Sequence, residues 1–589
     1  TVMSKIETIR HSLSHIMAHA VQELFPGVKF GIGPAIENGF YYDFDFIEAD
    51  KRRLKRRITR ITPEDLPKIE EKMKEIIKKN ISFKKKKLSK SEINKIFKKQ
   101  PYKLELIKEL PKSKLTFYQS GSFIDLCQGP HVRSIKEINA NSFKLIKIAG
   151  AYWRGDERNP MLTRIYGVAF KTKKELENYL RSEVEAEKRD HRKLGQKLDL
   201  FHIDERAGPG LILWHPKGAI LKKTIEDYAL NAYLKEGYEL VNTPHIAKLN
   251  LWKTSGHTDF YKEGMYPPMH MIEIAREEKD DYQLKPMNCP AHILIYKSEV
   301  RSYRHLPIRY TELGTVYRYE RSGTLHGLTR VRGLTQDDAH IWCTPEQLSK
   351  EIISALKLAL RLLRDFGFKE YEIYLSTRPQ KYAGTLKNWK KATNSLKYAL
   401  EKAKIPYQID PGEGVFYGPK IDIKVKDSLG RAWQLTTIQV DFNLPERFEM
   451  TFIDKRGKKQ APIMIHRALL GSLERFIGVL LEHYAGSLPV WLSPIQVWII
   501  PVGSRHKKYA QKVKKELSSF RVEVKEENET VSKKIREGEL QKIPYLLVVG
   551  DKEVKTKSVR VRKRAKGDIG IMKLKKFLEK IKIEIEKKK

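Results

Sequence analysis

Three separated segments of the chain each contribute one side chain of a kind that binds zinc. They are Cys289 in the stretch MNCP, His340 at the end of QDDAH, and His466 in IHR. Thiolate and imidazole groups are common zinc ligands, and three of them leave the fourth position of the ion open for a substrate. A lone cysteine is more often a core residue, and Cys343 is interpreted in that way. The sequence therefore predicts an open zinc site built from distant segments.

Two arginine-containing segments accompany these ligands. Arg318 and Glu320 lie in the stretch YRYE, and Arg475 lies in GSLERF. The planar guanidinium group forms paired hydrogen bonds with phosphate and carboxylate oxygens, so both arginines suit a nucleotide triphosphate. An arginine on a helix is normally a solvated surface residue, so this interpretation of Arg475 depends on its motif. We expect a triphosphate site beside the zinc site.

The elements that must hold these side chains are mostly strands. Strand-like runs cover residues 309–318, 327–333 and 432–442, and long helices are predicted at 344–366 and 467–485. Close strands without a helix between them favour antiparallel pairing. A largely antiparallel sheet is therefore expected to carry the site.

The N-terminal region has a mixed α+β pattern. An amphipathic helix is predicted at 9–24, followed by basic helical blocks at 51–60 and 68–79 and by short β-type runs. Residues 171–200 are almost free of glycine and proline and dense in alternating charges, which predicts an exposed connecting helix.

The last hundred residues alternate strand and helix, a pattern typical of βαβ units around a parallel sheet. The lysine-rich end, residues 573–589, is predicted to be a solvated helix that frays. These patterns give a multidomain α+β chain, and we expect domain boundaries at 1–170, 171–200, 201–490 and 491–589.

Composition limits the class of protein. The 589 residues carry a formal net charge of +41, from 114 Lys and Arg against 73 Asp and Glu. Such a charge favours an anionic partner such as nucleic acid, although lysine bias spread over solvated surfaces would give the same number. Three cysteines provide no disulfide framework, and no run approaches the roughly 20 apolar residues of a membrane helix. We expect a cytoplasmic protein without a membrane partner.

The longer motifs resemble those of one family. The stretches LKPMNCP (284–290), RYE (318–320), LHG followed by RVRGLTQDDAH (325–340), and HRALLGSLERFIG (466–478) resemble the threonyl-tRNA synthetases, which are class II aminoacyl-tRNA synthetases. The resemblance extends from about residue 11 to residue 562. It implies an N-terminal α+β editing domain, a class II antiparallel-sheet catalytic core, and a C-terminal α/β anticodon-binding domain. Relatives generally carry a small ubiquitin-like module ahead of His11, which this sequence is expected to lack, either through truncation or by nature.

The resemblance also implies an activity and its partners. Members join L-threonine to tRNA(Thr) with ATP through threonyl-adenylate, remove serine from Ser-tRNA(Thr), and work as homodimers. Mg²⁺ accompanies ATP, and one Zn²⁺ per subunit, on Cys289, His340 and His466, binds the amino and hydroxyl groups of threonine. Pro244 falls where the family forms its dimer contact. Valine lacks the hydroxyl, and sites built to bind a hydroxyl reject such analogues by roughly 10⁴-fold.

By the same resemblance, Arg318 contacts the α-phosphate and the carboxylate, Glu320 accepts from the adenine amine, and Arg475 contacts the γ-phosphate. Leu334 stands where relatives usually place a phenylalanine against adenine, which we expect to weaken ATP stacking. The remaining expected pocket residues are those that line the threonine side, Gln336, Asp338, Tyr417 and Gln439, and Lys420 near the reacting groups.

A second group of chemically capable residues lies near the N-terminus. His11 and His15 are spaced i, i+4 and face one side of the first helix, while glycine and proline force a loop that brings Cys127 close to His131. Two pairs of this kind suit a tetrahedral zinc ion. The family instead uses these positions to place a water against the misacylated ester. The expectation is Ser-tRNA deacylation without a metal, with Asp125 and Lys103 assisting.

In the C-terminal region the resemblance points to Glu553 and Arg562 as anticodon contacts, because carboxylates and arginines can read base edges. Two other classes of protein stay open: an idle paralogue that only binds RNA, and a zinc hydrolase built on the N-terminal region. Threonine-dependent ATP–pyrophosphate exchange separates them, since neither would support it.

Overall fold

The fold is described from a computed structural model that covers residues 3–46, 61–111, 115–273 and 278–588. The predicted basic block at 51–60 lies outside these residues. The chain forms two compact units, Thr1–Glu185 and Ala186–Lys589. In the described part of the chain, no helix is both long and apolar enough to cross a membrane.

Unit 1 is built around one amphipathic helix. Ser4 begins this helix with a capping box, in which its hydroxyl accepts from the Glu7 N–H and the Glu7 carboxylate accepts from the Ser4 N–H. Leu13, Ile16 and Val21 are fully buried on its inner face. The elements of this unit, in chain order, are α1 (Lys5–Leu24), β1 (Lys29–Phe30), β2 (Ala35–Ile36), β3 (Gly39–Asp45), α2 (Leu66–Lys78), β4 (Lys84–Lys86), α3 (Lys90–Ile96), α4 (Pro101–Glu109), β5 (Phe117–Ser120), β6 (Phe123–Leu126), β7 (Phe143–Tyr152) and β8 (Met161–Ala169).

The strands of unit 1 form two antiparallel groups. One sheet has the order β1-β3-β8-β7, with β2 paired to β3, and α1 and α2 pack against it; the other has the order β4-β5-β6. This is the α+β arrangement predicted for the region.

The predicted connecting helix is interrupted. It consists of α5 (Lys173–Arg189) and α6 (His191–Lys197), and the Asp190 side chain accepts from the Arg192 N–H as the N-cap of α6. An aspartate inside a helix lowers helix propensity, but the same side chain can cap the start of a new helix. A charge-rich sequence does not indicate which of these two roles a particular aspartate has.

Unit 2 begins with the region that carries the zinc and arginine motifs. Its elements in chain order are β9 (Phe201–His202), β10 (Leu213–Trp214), α7 (Pro216–Lys235), β11 (Glu239–Leu240), β12 (Ile246–Lys248), α8 (Leu249–Ser255), α9 (His257–Phe260), β13 (Met269–Glu273), β14 (Glu278–Leu284), α10 (Cys289–Lys297), β15 (Arg301–Ser302), β16 (Ile308–Tyr317), β17 (Gly333–Cys343), α11 (Pro345–Asp365), β18 (Tyr371–Ser376), α12 (Leu386–Lys402), β19 (Gln408–Asp410), β20 (Lys420–Lys426), β21 (Ala432–Asp441), α13 (Asn443–Arg447), β22 (Phe452–Ile453), β23 (Lys459–Gln460), β24 (Ile463–Ser472) and α14 (Leu473–His483).

The central sheet of this region has the order β11-β16-β17-β24-β21-β20-β18-β19. The pairings from β16 to β18 are antiparallel, as predicted, and only the edge strands β11 and β19 pair in parallel. Helices α11 and α14 cover one face of the sheet and bury Leu356, Leu362, Phe476 and Leu480 in the main core.

Two predicted elements near the site are wrong. Residues 327–332 form a loop rather than a strand, and β17 starts only at Gly333. Arg467 lies in β24 rather than in a helix, and α14 begins at Leu473, where the Ser472 hydroxyl accepts from the Arg475 N–H. The buried Asp337 carboxylate accepts from the Leu469 and Gly471 N–H groups, a long-range contact that a local pattern cannot reveal.

The C-terminal part of unit 2 alternates strands and helices, as predicted. Its elements are β25 (Val497–Pro501), α15 (Lys507–Glu516), β26 (Val522–Val524), α16 (Val531–Leu540), β27 (Tyr545–Val549), α17 (Asp551–Thr556), β28 (Ser558–Lys563), β29 (Gly567–Lys573) and α18 (Leu574–Glu586).

The C-terminal sheet has the order β26-β25-β27-β28-β29, parallel over its first three strands and antiparallel after β27. The lysine-rich end is helical, as predicted, but the prediction that this helix is solvated is wrong, because Phe577 and Ile581 of α18 are fully buried in the core of this region. Leu574, Leu578 and Ile585 pack against the same core, so one apolar face docks a helix whose other faces are charged.

Candidate functional site

A cavity of about 490 Å³ opens on the face of the central sheet that α11 and α14 leave uncovered. Its lining contains every residue that the sequence analysis assigned to the zinc, ATP and threonine sites: Cys289, Arg318, Glu320, Leu334, Gln336, Asp338, His340, Tyr417, Lys420, Gln439, His466 and Arg475. Residues that are up to 186 positions apart in the chain therefore share one pocket.

Strand register brings the key side chains side by side. His340 of β17 is the Cα partner of His466 of β24, His466 is the partner of Gln439 of β21, and Gln439 is the partner of Lys420 of β20. Neighbouring strands lie about 4.8 Å apart, so these four residues form a row across the sheet. Along β17 the period of two residues also turns Asp338 toward the pocket.

The three predicted zinc ligands converge. The candidate ligand atoms of Cys289, His340 and His466 all lie within 4.8 Å of one another, and all three residues are buried. Cys289 joins the two strand histidines from the first turn of α10. One thiol and two imidazoles at this spacing fit a zinc ion with an open position.

Groups behind the two histidines hold their rings in place. Nε2 of His466 lies 3.0 Å from Oδ2 of Asp441, and Nδ1 of His340 lies 2.8 Å from Nδ1 of His292, whose Nε2 is 3.3 Å from Glu312. Each ligand ring therefore keeps its other nitrogen for an ion. This is how metal-binding histidines are normally oriented.

Burial sets the protonation of these groups. It lowers the pKa of His340 well below its usual value, which keeps the imidazole neutral and able to ligate. It raises the pKa of the Cys289 thiol, with the carboxylates of Asp338 and Asp441 acting in the same direction. A divalent cation reverses that effect on the thiol by its own charge.

The two arginines present unsatisfied donors to the cavity. Arg318 directly follows β16, and Arg475 lies on the first turn of α14. Among the described residues, the buried Nε atoms of both side chains have no hydrogen-bond partner. Buried guanidinium donors without partners indicate a place for an anionic ligand. Glu320 accepts from Nε of Arg330 at 2.9 Å, which fixes its carboxylate at the same end of the pocket.

The residues expected on the threonine side are held by hydrogen bonds. Asp338 accepts from Nδ2 of Asn288 at 3.0 Å, and Gln439 donates to the Gly418 carbonyl at 3.2 Å. Lys420 forms an ion pair of 2.6 Å with Asp422. Tyr417 is buried, and burial raises the pKa of its hydroxyl well above the usual value, so it remains protonated.

Sequence reasoning missed the supporting layer: His292, Glu312 and Asp441. It also missed Lys285, whose Nζ lies 2.9 Å from Glu312 with both side chains buried. Lys285 is the one charged residue of the quoted stretch LKPMNCP, and this was the available signal.

Unit 1 holds a second cluster. His11 and His15 of α1, with Cys127 and His131 after β6, place one candidate ligand atom each within 4.8 Å of the others. The Cys127 thiol lies 3.3 Å from Nε2 of both His11 and His131. Ring partners are mostly uncharged: Nδ1 of His11 faces the Pro130 carbonyl, and Nδ1 of His131 faces the Ser12 hydroxyl.

Asp125 and Lys103 lie behind this cluster. Nδ1 of His15 is 3.6 Å from Asp125, and Asp125 is bound by Lys103 at 2.5 Å and by the Tyr42 hydroxyl at 2.5 Å. Burial lowers the pKa of His11, His15 and His131, and raises the pKa of Cys127 to about 12. The cluster is therefore a set of neutral donors and acceptors, which suits the holding of a water molecule.

The two residues predicted to read the anticodon have different surroundings. Glu553 is buried and accepts from the Gly550 N–H at 2.9 Å, as part of the cap of α17. Arg562 of β28 lines a cavity of about 420 Å³ together with Glu539, Lys542 and Arg564. Its buried Nε has no partner among the described residues.

Comparisons with known proteins identify three domains in the chain. Residues 271–484 match the tRNA synthetase class II core domain (G, H, P, S and T), residues 496–584 match an anticodon binding domain, and residues 115–166 match the threonyl and alanyl tRNA synthetase second additional domain. The chain is 54% identical to the threonine--tRNA ligase of Sulfurihydrogenibium sp., over 99% of this chain and 89% of that protein. It is 52% identical to the threonine--tRNA ligase of Aquifex aeolicus, over 99% and 90%.

Solved structures give a consistent result. The RNA binding domain of threonyl-tRNA synthetase from Cryptosporidium parvum Iowa II is 42% identical and superposes with a TM-score of 0.63, covering 67% of this chain and 98% of that one. A putative threonyl-tRNA synthetase from Aeropyrum pernix is 30% identical, with a TM-score of 0.58, over 68% and 97%. Together with the near-complete coverage of the relatives, these matches mean that the chain belongs to the threonyl-tRNA synthetase family.

Proposed function

We propose that this protein ligates L-threonine to tRNA(Thr) with ATP, through threonyl-adenylate, and hydrolyses Ser-tRNA(Thr) at a separate site. The observation that carries the first part is the convergence of Cys289, His340 and His466 in the same cavity as Arg318 and Arg475, whose buried Nε atoms have no partner among the described residues. A site for a small ligand with nitrogen and oxygen donors thus adjoins a site for phosphates.

In this proposal Cys289, His340 and His466 hold one Zn²⁺ per chain. When bound, the ion supplies a Lewis acid for the amino and hydroxyl groups of threonine, a pair that valine cannot offer. Asp338 is fixed by Asn288 and orients the amino group, while Gln336, Tyr417 and Gln439 close the pocket around the side chain. These side chains provide the shape that excludes larger amino acids.

ATP occupies the arginine end together with Mg²⁺. Negative charge grows on the phosphoryl oxygens as the threonine carboxylate attacks the α-phosphate, and fixed cations stabilise that charge. We assign Arg318 to the α-phosphate, Arg475 to the γ-phosphate and Glu320 to the adenine amine, with Lys420 near the reacting groups. Leu334, which lines the same cavity, gives adenine an aliphatic rather than an aromatic contact.

The second activity rests on the cluster of unit 1. Serine also has a hydroxyl, and its missing methyl group is worth only about 1 to 3 kcal/mol, so the synthetic pocket needs a hydrolytic partner. We propose that His11, His15, Cys127 and His131 hold a water against the serine ester, with Asp125 and Lys103 orienting His15. The neutral state of the three imidazoles supports a role as hydrogen-bond acceptors for that water.

We further propose the functional division 1–170 for editing, 171–200 as linker, 201–490 for catalysis and 491–589 for the anticodon, with Glu553 and Arg562 as candidate contacts. A cytoplasmic homodimer is part of the proposal. The net charge of +41 supports tRNA as the partner.

One assay tests the core of the proposal. Purified protein should catalyse threonine-dependent ATP–pyrophosphate exchange and contain one zinc per chain. An RNA-binding paralogue without catalysis, or a hydrolase limited to the N-terminal region, would give no exchange. Exchange that proceeds equally well with valine would contradict the role of the zinc ligands.

A further inference from the structure

A third cluster of titratable groups lies outside the lining of both sites. Asp190, His191 and Glu482 bring their candidate ligand atoms within 4.8 Å of one another. His191 is the first residue of α6 and is completely buried, while Glu482 lies near the end of α14 and is 4% exposed.

Both ring nitrogens of His191 already have protein partners. Nδ1 lies 2.7 Å from Oε1 of Glu482, and Nε2 accepts from the Leu328 N–H at 2.9 Å. A backbone amide can only donate, so Nε2 carries no proton and the ring proton is on Nδ1, where Glu482 accepts it. No ring nitrogen is left for a metal, and the group is a hydrogen-bonded bridge rather than an ion site.

The bridge joins two segments that carry ATP-side residues. Glu482 lies seven residues after Arg475 on α14, and this spacing places both side chains on the same side of the helix. Leu328 lies in the loop between β16 and β17, residues 318–332, which starts at Arg318 and contains Glu320. His191, which lies on α6, therefore fixes this loop against α14.

The position of this loop determines where two residues of the pocket lie. Thr329 and Arg330, the two residues after Leu328, line the cavity. Arg330 then donates from Nε to the Glu320 carboxylate at 2.9 Å. A displacement of Leu328 would thus move the guanidinium group that holds Glu320.

Two glycines make room for the imidazole. Gly327 has a φ of +47°, and a Cβ on it would lie 2.2 Å from Nε2 of His191. A Cβ on Gly478 of α14 would lie 3.2 Å from Cβ of Leu328 and 3.5 Å from the His191 ring. The loop, the ring and the helix are therefore in direct contact, with little freedom to shift independently.

Glu482 is itself held in place. Its second oxygen, Oε2, accepts from Nη2 of Arg431 at 2.5 Å, and Arg431 also pairs with Asp427 at 2.7 Å. The acceptor for His191 is thus a fixed carboxylate, which a positioning contact requires.

We infer that His191 is a positioning residue for the ATP side of the active site, because its imidazole fixes the 318–332 loop to α14. The inference rests on the proposed assignment of Arg318, Glu320 and Arg475 to ATP. It gives the junction between the linker helices and the catalytic region a role in nucleotide affinity.

The test compares two substitutions that each keep one end of the bridge. In His191→Asn the amide stands near the position of Nδ1, so the contact with Glu482 remains and the acceptor for Leu328 is lost. In His191→Gln the amide oxygen stands near Nε2 and can still accept from Leu328. We expect His191→Asn to raise the KM for ATP in the exchange assay about tenfold, and His191→Gln to raise it less than about threefold. The KM for threonine should stay unchanged in both.

A matched control is available in the anticodon-binding region. His506 is also buried, accepts from the Gly503 N–H at 3.0 Å through Nδ1 and contacts Asp551 through Nε2. His506→Gln removes the acceptor for the Gly503 N–H and should leave the KM for ATP unchanged.

Two outcomes would overturn the inference. One is a normal KM for ATP in His191→Asn. The other is a rise of the KM for threonine that equals the rise of the KM for ATP in both His191→Asn and His191→Gln. If His191→Asn does not fold, Gly327→Ala provides the same test, because it keeps His191 and pushes the loop away from the ring. A normal KM for ATP in that variant would likewise overturn the inference. Absence of exchange in the unmodified protein would instead contradict the proposed function.

Discussion

The two cysteine and histidine clusters of this protein use the same side chains in different surroundings. In unit 2 the ring of His466 is held by the Asp441 carboxylate, and His340 is held by His292 with Glu312 behind it. In unit 1 the rings of His11 and His131 are held by a carbonyl and a hydroxyl. A lysine pairs with a carboxylate behind the histidines in both units, so the contrast lies in the carboxylate contact itself, which is 3.0 Å for His466 with Asp441 and 3.6 Å for His15 with Asp125.

Ligand type alone therefore does not determine the chemistry of a cluster. Negative charge behind an imidazole increases its affinity for a cation, whereas neutral partners leave an uncharged hydrogen-bonding set. The number of ligands acts in the same direction: three ligands leave one position for substrate, and four would close the ion off. We therefore propose a zinc ion for the cluster of unit 2 and a water molecule for the cluster of unit 1.

Removal of a zinc ligand in unit 2 should have the strongest consequence. His466→Ala should abolish bound zinc and lower threonine-dependent exchange by roughly 10³-fold or more, because an open zinc site needs all three ligands. Metal analysis and the exchange assay measure this. Deacylation of Ser-tRNA by the same variant should remain normal, and a parallel loss would mean that the two sites are not independent.

The reciprocal substitution should act on unit 1 alone. His15→Ala is expected to slow Ser-tRNA deacylation by about 10²-fold, the usual contribution of one residue that positions a proton acceptor. Zinc content should stay at one per chain. Two zinc ions in the unmodified protein, falling to one in this variant, would show that the comparison is wrong and that unit 1 also binds metal.

The layer behind the ligands gives a smaller effect. Asp441→Asn should reduce zinc affinity about 10- to 100-fold, because it removes the negative charge that orients His466. Competition with a chelator measures the change. Asp125→Asn is the matched control in unit 1. A similar loss of zinc in that variant would contradict the distinction between the clusters of the two units.

The pH dependence of deacylation tests the neutral state of the unit 1 cluster. Burial lowers the pKa of His11, His15 and His131 below the ordinary value of about 6.5, so the deacylation rate should show no inflection near that pH. Below pH 6.5 the histidines of the unfolded chain bind protons, whereas the buried histidines of the folded cluster do not. The contribution of these histidines to folding stability is therefore present above pH 6.5 and is lost as the pH falls. An inflection near pH 6.5 would mean that a charged imidazole takes part.

The smallest effect concerns adenine. Leu334→Phe should lower the KM for ATP up to about fivefold, because an aromatic face adds roughly 1 kcal/mol of stacking. Threonine affinity is the internal control. No change would indicate that Leu334 does not face the base, since it also packs with Val316 and Val331.

The sequence was sufficient to predict site residues that lie in specific motifs. It was insufficient to predict features that depend on contacts between distant parts of the chain. Cys289, His340 and His466 could be chosen because their residue types are rare and their motifs specific. The strand position of Arg467 could not, because the run from Ile463 to Leu470 contains helix formers and becomes a strand only by pairing with β17 and β21. Likewise, His191 gave no local signal, since its partners lie 137 and 291 positions away.

The row formed by His340, His466, Gln439 and Lys420 limits how this protein can change. A slip of β24 by one residue would turn His466 to the back of the sheet and bring forward Arg467, which now stacks on Tyr233 and Tyr238. Insertions or deletions within these strands would therefore exchange a metal ligand for a cation in a single step. Length variation should be confined to the connections at the ends of the strands, while inside them only substitution can alter the selectivity of the pocket.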